Sequence, residues 1–245
     1  MTQPDLDIVL PVHNEAGSIE ATVRELCGEI GSRLTLRLII CEDGSTDGTL
    51  DVLARLQTQY PIELITGTSR KGYSRAVIDG MRASRAPYLL AIDSDGQCDP
   101  GDFWTFWNGR HDADIVVGNR HPRRDPLFRR VLSGVFHAVF RLLFRARVAD
   151  PSCPYVLISH DALGAVLPTL GVLQQGLWWE FTARASQLRL RVNEVPVHHR
   201  ARSAGETQVY RLGALPRIGL SHILGLLTLW RQAPDQGGRS KQTLH

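Results

Sequence analysis

Five short apolar runs alternate with helical periods through the first 120 residues, and four of them stop at a polar cluster. The runs are 7–13, "DIVLPVH"; 36–41, "LRLIIC"; 62–66, "IELIT"; 88–93, "YLLAID"; and 114–120, "DIVVGNR". Between them Ile19, Val23, Leu26 and Ile30 recur at three- and four-residue spacing, Leu50, Leu53 and Leu56 repeat the pattern, and 72–86 reads as a third helix. Such alternation predicts a mostly parallel sheet with helices on both faces. The runs are almost continuously apolar, as strands covered on both faces must be. The clusters are His13-Asn14-Glu15, Glu42-Asp43-Gly44, Asp93-Ser94-Asp95 and Gly118-Asn119-Arg120. Each lies at or just past the carboxyl end of its strand, where open α/β sheets bind ligands. One site fed by all four clusters is therefore expected, because scattered turns have no reason to gather their chemistry at one end of every strand.

The later half continues the pattern less regularly. Residues 129–147 read as an amphipathic helix with Leu132, Phe136, Val139, Phe140 and Leu143 on its apolar stripe. Residues 154–158 and 189–198 read as further strands, and 211–231 as a second apolar helical region broken near Pro216. The polar, Gly-Gly-containing tail 233–245 is expected to be disordered. The start of the chain shows no basic segment followed by an apolar one, and no stretch reaches 18 uninterrupted apolar residues, so neither a secretory signal nor an ordinary membrane-spanning helix is expected. Cys27, Cys41, Cys98 and Cys153 are widely spaced without a CxxC pair and are expected to be free thiols of a reducing compartment.

Charge is distributed unevenly. Residues 1–60 carry ten acids and four arginines, whereas 119–147 carry eight arginines and one acid, Asp125. A basic block facing an acidic half predicts an anionic ligand; on charge alone phosphate, lipid headgroup and nucleic acid all stay open. The first strand is not followed by GxGxxG, and GxxxxGK[ST] occurs nowhere in the chain, which excludes the usual dinucleotide and P-loop sites. In "LLAIDSDGQCDP" (89–100), Asp93 and Asp95 point the same way if the chain is extended. Two like charges on one side repel unless a cation lies between them, and a divalent metal with oxygen ligands fills that part, with the Gln97 amide two residues on. The same letters also suit an Asp-Gly turn, and the motif by itself does not choose.

Taken in order, "IVLPVHNE", "CEDGSTDGT", "GYSRAVIDGM", "AIDSDGQCDP", "VVGNR" and "VADPSCPYVLIS" resemble the motifs of family 2 inverting glycosyltransferases over roughly residues 5–210, most closely the branch of dolichol- and polyprenyl-phosphate sugar synthases, such as its mannosyltransferases. The resemblance implies a GT-A fold in a single domain, 1–210, followed by an amphipathic helical region, 211–232. It implies a nucleotide-sugar donor, in the first place GDP-mannose; Mg²⁺ or Mn²⁺; and an isoprenoid phosphate acceptor reached from the cytoplasmic face of a membrane, at its surface. The alternative within the family is a UDP-sugar donor with a hydroxyl acceptor on a soluble metabolite or glycan. A nucleic-acid partner is not expected, because the carboxylates of the cleft repel phosphodiesters.

Residue by residue, the resemblance implies that Pro11, Val12, Asn14, Glu15, Asp43, Lys71, Asp93 and Ser94 line the donor, and that Asp93, Asp95 and Gln97 hold the metal. Glu15 and Asp43 can accept hydrogen bonds from a base or ribose, while Glu15 reads equally as a helix cap. Arg120, Arg129, Arg130, Ser133 and Arg202 are implied as the grip on acceptor phosphate, to which a guanidinium fork is suited; a solvated helix face is the plainer reading of 129–133. Asp95, Arg120 and Arg202 are the implied catalytic residues. "HHRARSAGETQ" resembles the family's closing loop, with Gln208 where a lysine is usual and Thr207 for the serine; "DPSCPY" carries Pro154 for glycine and Tyr155 for phenylalanine. These departures bear on the acceptor and leave the donor half untouched. His198 and His199 point apart on a strand and are not expected to bind metal. Trp178 and Trp179 suit either a sugar or lipid platform or the core, and Glu180 is the one residue nominated as a base for a hydroxyl acceptor.

Overall fold

Strand β1 (Leu6–Val12) is buried along its whole length, which its near-continuous apolar sequence requires. It lies third in a seven-stranded sheet with β2 (Leu36–Glu42), β3 (Ile62–Thr66), β4 (Tyr88–Ala91), β5 (Ile115–Asn119), β6 (Val156–Ser159) and β7 (Val192–Pro196). The order is β3-β2-β1-β4-β6-β5-β7. The structure, a computed structural model, describes residues 3–67, 69–120, 127–144, 146–173, 175–200 and 215–232. The expected tail at 233–245 and the closing-loop residues Arg202, Gly205, Thr207 and Gln208 lie outside them.

The sheet is mostly parallel, as expected, with one exception: β6 runs antiparallel to both β4 and β5. That reversal has a consequence for the site. Val156 opens β6 opposite Ala91 and Val117, so the segment entering β6, 150–155, arrives at the carboxyl edge of its neighbours. Strand β7 runs parallel to β5, and Pro196 pairs with Asn119. Its exit, 197–200, therefore leaves at that edge too. The order reverses between β1 and β4, with β2 and β3 on one side and β6, β5 and β7 on the other, which puts a crevice at the ends of β1 and β4.

Helices α1 (Ile19–Glu29), α2 (Thr49–Leu56), α3 (Tyr73–Ala83), α4 (Phe103–Gly109), α5 (Leu127–Phe144), α6 (His160–Val166), α7 (Leu177–Gln187) and α8 (Leu215–Arg231) complete the fold. Helix α3 sits so close to the sheet that a Cβ on Gly80 would lie 2.6 Å from Val9 Cγ1 and 2.8 Å from Cys41 Sγ. The four cysteines are free. Helix α8 packs with α5 and α7 around Phe140, Phe144, Leu173, Leu226 and Leu229, a second apolar cluster beside the main core. The described part of α8 opens at Leu215 and Pro216 is its second residue, so the break expected near Pro216 falls at the boundary of the described residues.

At the opposite edge of the sheet one ion pair stands out. Asp7 is fully buried on β1, and Arg37, its register partner on β2, grips it with Nε and Nη2, both at 2.8 Å. Ser84 Oγ and the backbone N–H groups of Arg85 and Ala86 also donate to Asp7 Oδ2, at 2.9, 2.7 and 2.9 Å. Burial alone would raise the Asp7 carboxyl; Arg37 and these donors outweigh it and hold the group below the usual carboxylate range. Removing one partner of such a pair costs about 3–5 kcal/mol, so Asp7→Ala should lower the thermal midpoint steeply. Because the folded pKa is depressed, the contribution is complete above the unfolded value of about 3.9 and is lost as pH falls through the folded one. Unfolding scans from pH 6 to pH 3 should therefore show the gap between wild type and Asp7→Ala closing at the acid end.

Candidate active site

The first loop past β1 is built by side chains of the second. Asn14, in a left-handed conformation at φ 55°, donates its backbone N–H to Ser45 Oγ at 2.9 Å and accepts from Thr46 N through Oδ1 at 2.8 Å. Glu15 N donates to Thr49 Oγ1 at 3.0 Å, and the Glu15 carboxylate accepts from Ser18 Oγ. Asp47 accepts from Ala16 N at 3.1 Å and caps α2 through Thr49 N at 3.1 Å. Glu15 is thereby tied to both the entry of α1 and that of α2. Asp43 is buried, and both its oxygens face the loop before α3: Oδ1 accepts from Lys71 N at 2.5 Å and Oδ2 from Gly72 N at 2.9 Å. Lys71 Nζ pairs with Asp79 at 3.0 Å. Pro11 and Val12 end β1; the Pro11 carbonyl accepts from buried Ser94 Oγ at 2.7 Å, and Val12 O accepts from Asp43 N at 2.9 Å. Ser94, read from sequence as donor-lining, ties β4's end to β1.

Asp93 and Asp95 lie at the end of β4, where the crevice opens. Tyr73 Oη donates to Asp93 Oδ1 at 2.8 Å, and Asp95 Oδ1 accepts from Gln97 N at 3.1 Å. Burial and then the charge of Asp95 push the Asp93 carboxyl up to about 6, with Glu15 adding repulsion and Tyr73 and Arg120 opposing it. Arg120 itself is held by Asp150: Nε donates to Oδ2 at 2.8 Å and Nη2 to Oδ1 at 3.1 Å, with Ser152 Oγ at 3.0 Å from Nη2. Among the described residues, Asp93 thus feels the charges of Asp95 and Glu15 against that of Arg120, whose guanidinium is already in a bidentate pair with Asp150. A hard divalent cation at Asp93 and Asp95 relieves this imbalance, and two carboxylate ligands with phosphate oxygens completing the shell suit Mg²⁺ or Mn²⁺. The donor set fits the ion.

Gln97, expected as the third ligand, also contacts the segment leaving β7. Its carbonyl O accepts from Arg200 N at 2.8 Å, and its side-chain nitrogen lies 3.4 Å from the Arg200 carbonyl and 3.4 Å from His199 Nε2. It ties the β4 loop to the strand leaving β7. Among the described residues no three His, Cys, Asp or Glu side chains converge as a preformed metal cage. The two histidines do point apart: His198 Nδ1 pairs with Asp102 at 2.7 Å, while His199 turns to Gln97. An imidazole thus stands beside the carboxylate motif, which the strand pattern alone did not reveal. Two further buried polar atoms without a partner among the described residues, His13 Nδ1 and Glu42 Oε2, lie at the ends of β1 and β2.

The other expectations separate. Arg129, Arg130 and Ser133 fall in the first two turns of α5, which begins at Leu127. Trp178 Nε1 donates to Tyr73 Oη at 2.8 Å, beside Asp93, whereas Trp179 packs edge-on against Phe136 and Phe140 at 4.5 and 5.1 Å. Glu180, the nominated base, is fully buried and accepts from Gly171 N, Val172 N and Leu173 N at 3.0, 2.9 and 2.8 Å. It is an anchor for the loop before α7. Glu180→Gln leaves part of that loop without an acceptor and should cost about 1.5–3 kcal/mol, read as a lower thermal midpoint with kcat nearly unchanged. A variant of normal stability with kcat abolished would restore the base role.

With this geometry the comparisons agree. The chain is 30% identical over 230 residues to an uncharacterized glycosyltransferase of Mycobacterium tuberculosis, covering 91% of this chain and 95% of that one. It is 24% identical over 219 residues to dolichol-phosphate mannosyltransferase of Saccharomyces cerevisiae, covering 84% and 81%. It is also 24% identical over 214 residues to dolichyl-phosphate beta-glucosyltransferase of Dictyostelium discoideum, covering 79% of this chain and 65% of that protein's length. The crystal structure of Mycobacterium tuberculosis glucosyl-3-phosphoglycerate synthase with Mn²⁺, uridine diphosphate and glucosyl-3-phosphoglycerate matches with TM-score 0.70 over 96% of this chain and 82% of that one, at 19% identity, a likeness of fold. The fold is GT-A. The model of glycosyl transferase family 2 matches residues 7–165, more than half of the sequence, and the chain belongs to that family and is a glycosyltransferase.

Proposed function

We propose that the protein transfers a hexose, mannose from GDP-mannose in the first place, to an isoprenoid phosphate, with a divalent cation at Asp93 and Asp95. The carrying observation is Glu180, whose buried carboxylate is engaged by three backbone N–H groups. A sugar hydroxyl needs a base to become a nucleophile; a phosphate oxygen is already anionic at neutral pH and needs none. The names of the yeast and Dictyostelium relatives support the acceptor class and differ in the sugar.

On this reading the reaction is one in-line displacement at the anomeric carbon. The cation, when bound, neutralises the charge developing on the departing nucleoside diphosphate. The chain's own residues do the rest by position. The loops past β1 and β2 form the donor wall, with Pro11, Val12, Asn14, Glu15, Asp43 and Lys71. Arg120 has Nη1 left over from its pair with Asp150. With Arg129, Arg130, Ser133 and Arg202, which contribute from α5 and the 201–214 segment, it holds the acceptor phosphate close to the sugar. In this proposal residues 1–210 are the catalytic unit, and 211–232 together with α5 form the surface that meets the lipid.

A screen of GDP- and UDP-sugars with Mn²⁺, with and without a polyprenyl phosphate, tests the function. Product should form with a GDP-sugar only when the polyprenyl phosphate is present. Arg202→Ala should reduce transfer about 10²-fold or more and Glu180→Gln far less. Product on a soluble hydroxyl acceptor from a UDP-sugar would contradict the proposal.

The lipid-facing part has its own test. Helix α8 has 17 residues, about 25 Å at 1.5 Å per residue, and among the described residues no helix is long and apolar enough to cross a membrane. Its Leu226 and Leu229 are buried against α5, while Leu224 and Trp230 are 55% and 51% exposed, and Leu142 on α5 is 82% exposed. Arg141 and Arg231 are exposed near these side chains in sequence. Apolar side chains with flanking arginines suit an anionic membrane surface, on the cytoplasmic face in this reading. The protein should float with anionic vesicles at low salt, and Leu224→Glu with Trp230→Glu should reduce the floated fraction severalfold; no flotation of wild type with lipid in excess would overturn the surface-binding reading.

A further inference from the structure

Three segments far apart in the chain meet at Asp93 through one directed string of hydrogen bonds. Trp178 Nε1 donates to Tyr73 Oη at 2.8 Å, and Tyr73 Oη donates to Asp93 Oδ1 at 2.8 Å. The direction is fixed by chemistry. An indole N–H can only donate, and Asp93 as a carboxylate can only accept, so the phenol must receive from one and give to the other. With its lone pair engaged by Trp178, the Tyr73 hydroxyl has its hydrogen aimed at Asp93.

Both donors of the string are anchored. Tyr73 is the first residue of α3, and the turn before it is clasped by Asp43 through Lys71 N and Gly72 N, with Gly72 at φ +92°. Trp178 is buried in the first turn of α7, its ring edge-on to Phe181 at 5.6 Å. Holding Oδ1 from one side fixes the rotamer of Asp93 and leaves Oδ2 and the far lone pair of Oδ1 for a ligand. Carboxylate ligands are commonly oriented by such outer hydrogen bonds, and removing one typically weakens metal affinity 10–100-fold.

We propose that Tyr73 and Trp178 act as a positioning relay that presents the Asp93 carboxylate to a divalent cation. The proposal rests on the reading of Asp93 and Asp95 as metal ligands. Neither Tyr73 nor Trp178 touches the reacting atoms. The relay makes an ordered claim: Trp178 acts only through Tyr73, so its removal should matter only while the phenol hydroxyl is present.

Direct Mn²⁺ binding tests this without turnover. Wild type, Asp95→Asn, Tyr73→Phe, Trp178→Phe and the Tyr73→Phe/Trp178→Phe double variant are titrated with Mn²⁺, alone and with UDP or GDP. Free Mn²⁺ is read by electron paramagnetic resonance and folding by thermal unfolding. Tyr73→Phe keeps the ring and should weaken binding about tenfold with its thermal midpoint near wild type. Trp178→Phe should weaken it by a smaller factor, and the double variant should bind no more weakly than Tyr73→Phe. If Asp95→Asn loses binding while Tyr73→Phe and Trp178→Phe bind as wild type, the relay is overturned and the metal reading stands. A double variant weaker than Tyr73→Phe also overturns the relay, because Trp178 then acts on its own. If wild type and Asp95→Asn are indistinguishable, the metal reading fails and the relay with it.

Discussion

Mutual repulsion of carboxylates at one edge of a sheet is the constraint on which the site depends. Asp93 and Asp95 leave β4 together, with Glu15 repelling Asp93 from β1's loop and Asp150 arriving with the segment that enters β6. The Asp93 carboxyl rises to about 6, as burial and the Asp95 charge require. Arg120 offsets part of this, yet its guanidinium is shared with Asp150 through two hydrogen bonds. On the proposed reading, a divalent cation at Asp93 and Asp95 would relax this repulsion. The buried Asp7–Arg37 pair at the other edge shows the contrast: there a carboxylate has a guanidinium and three further donors, and it is held below its usual range.

Helix α7 is the element through which the site and the α5–α8 layer are joined. Its first turn supplies Trp178 to Tyr73 and Glu180 to the 171–173 loop. The same turn places Trp179 among Phe136 and Phe140 of α5. Its last turn caps α8: Gln187 Nε2 donates to Leu229 O at 3.0 Å, and Arg184 Nη1 donates to Gln232 O. Cationic and amide donors at a helix carboxyl end meet both the unpaired carbonyls and the helix dipole. Ser186 Oγ donates to Phe144 O at 2.6 Å and ends α5 in the same way. A single 11-residue helix thus links the carboxylates proposed to hold the metal to the apolar face proposed to meet the lipid.

The strands and the site's location were legible in sequence because both depend on local patterns: continuous apolar runs, and polar clusters at their carboxyl ends. The direction of β6 was not, since an apolar run of four residues has no polarity. Nor were the partners of buried acids. Asp43 and Glu180 sit in motifs that suit ligand contacts, yet each accepts backbone N–H groups from a loop that only the fold brings near. Gln97 matched a metal motif by spacing, but spacing could not show that its amide nitrogen reaches His199, 102 residues away, in the segment leaving β7. Asp7 carried no motif at all; a lone acid opening an apolar strand was the available signal, and Arg37 at the matching place on β2 was its complement.

The most direct measurement of the central claim is manganese anomalous scattering from crystals grown with Mn²⁺ and either GDP or UDP. The expected result is one anomalous peak about 2.1 Å from carboxylate oxygens of Asp93 and Asp95, with the nucleotide's diphosphate on its far side. A nucleotide bound in the crevice with no manganese at these two carboxylates, or manganese bound elsewhere in the chain, would contradict it.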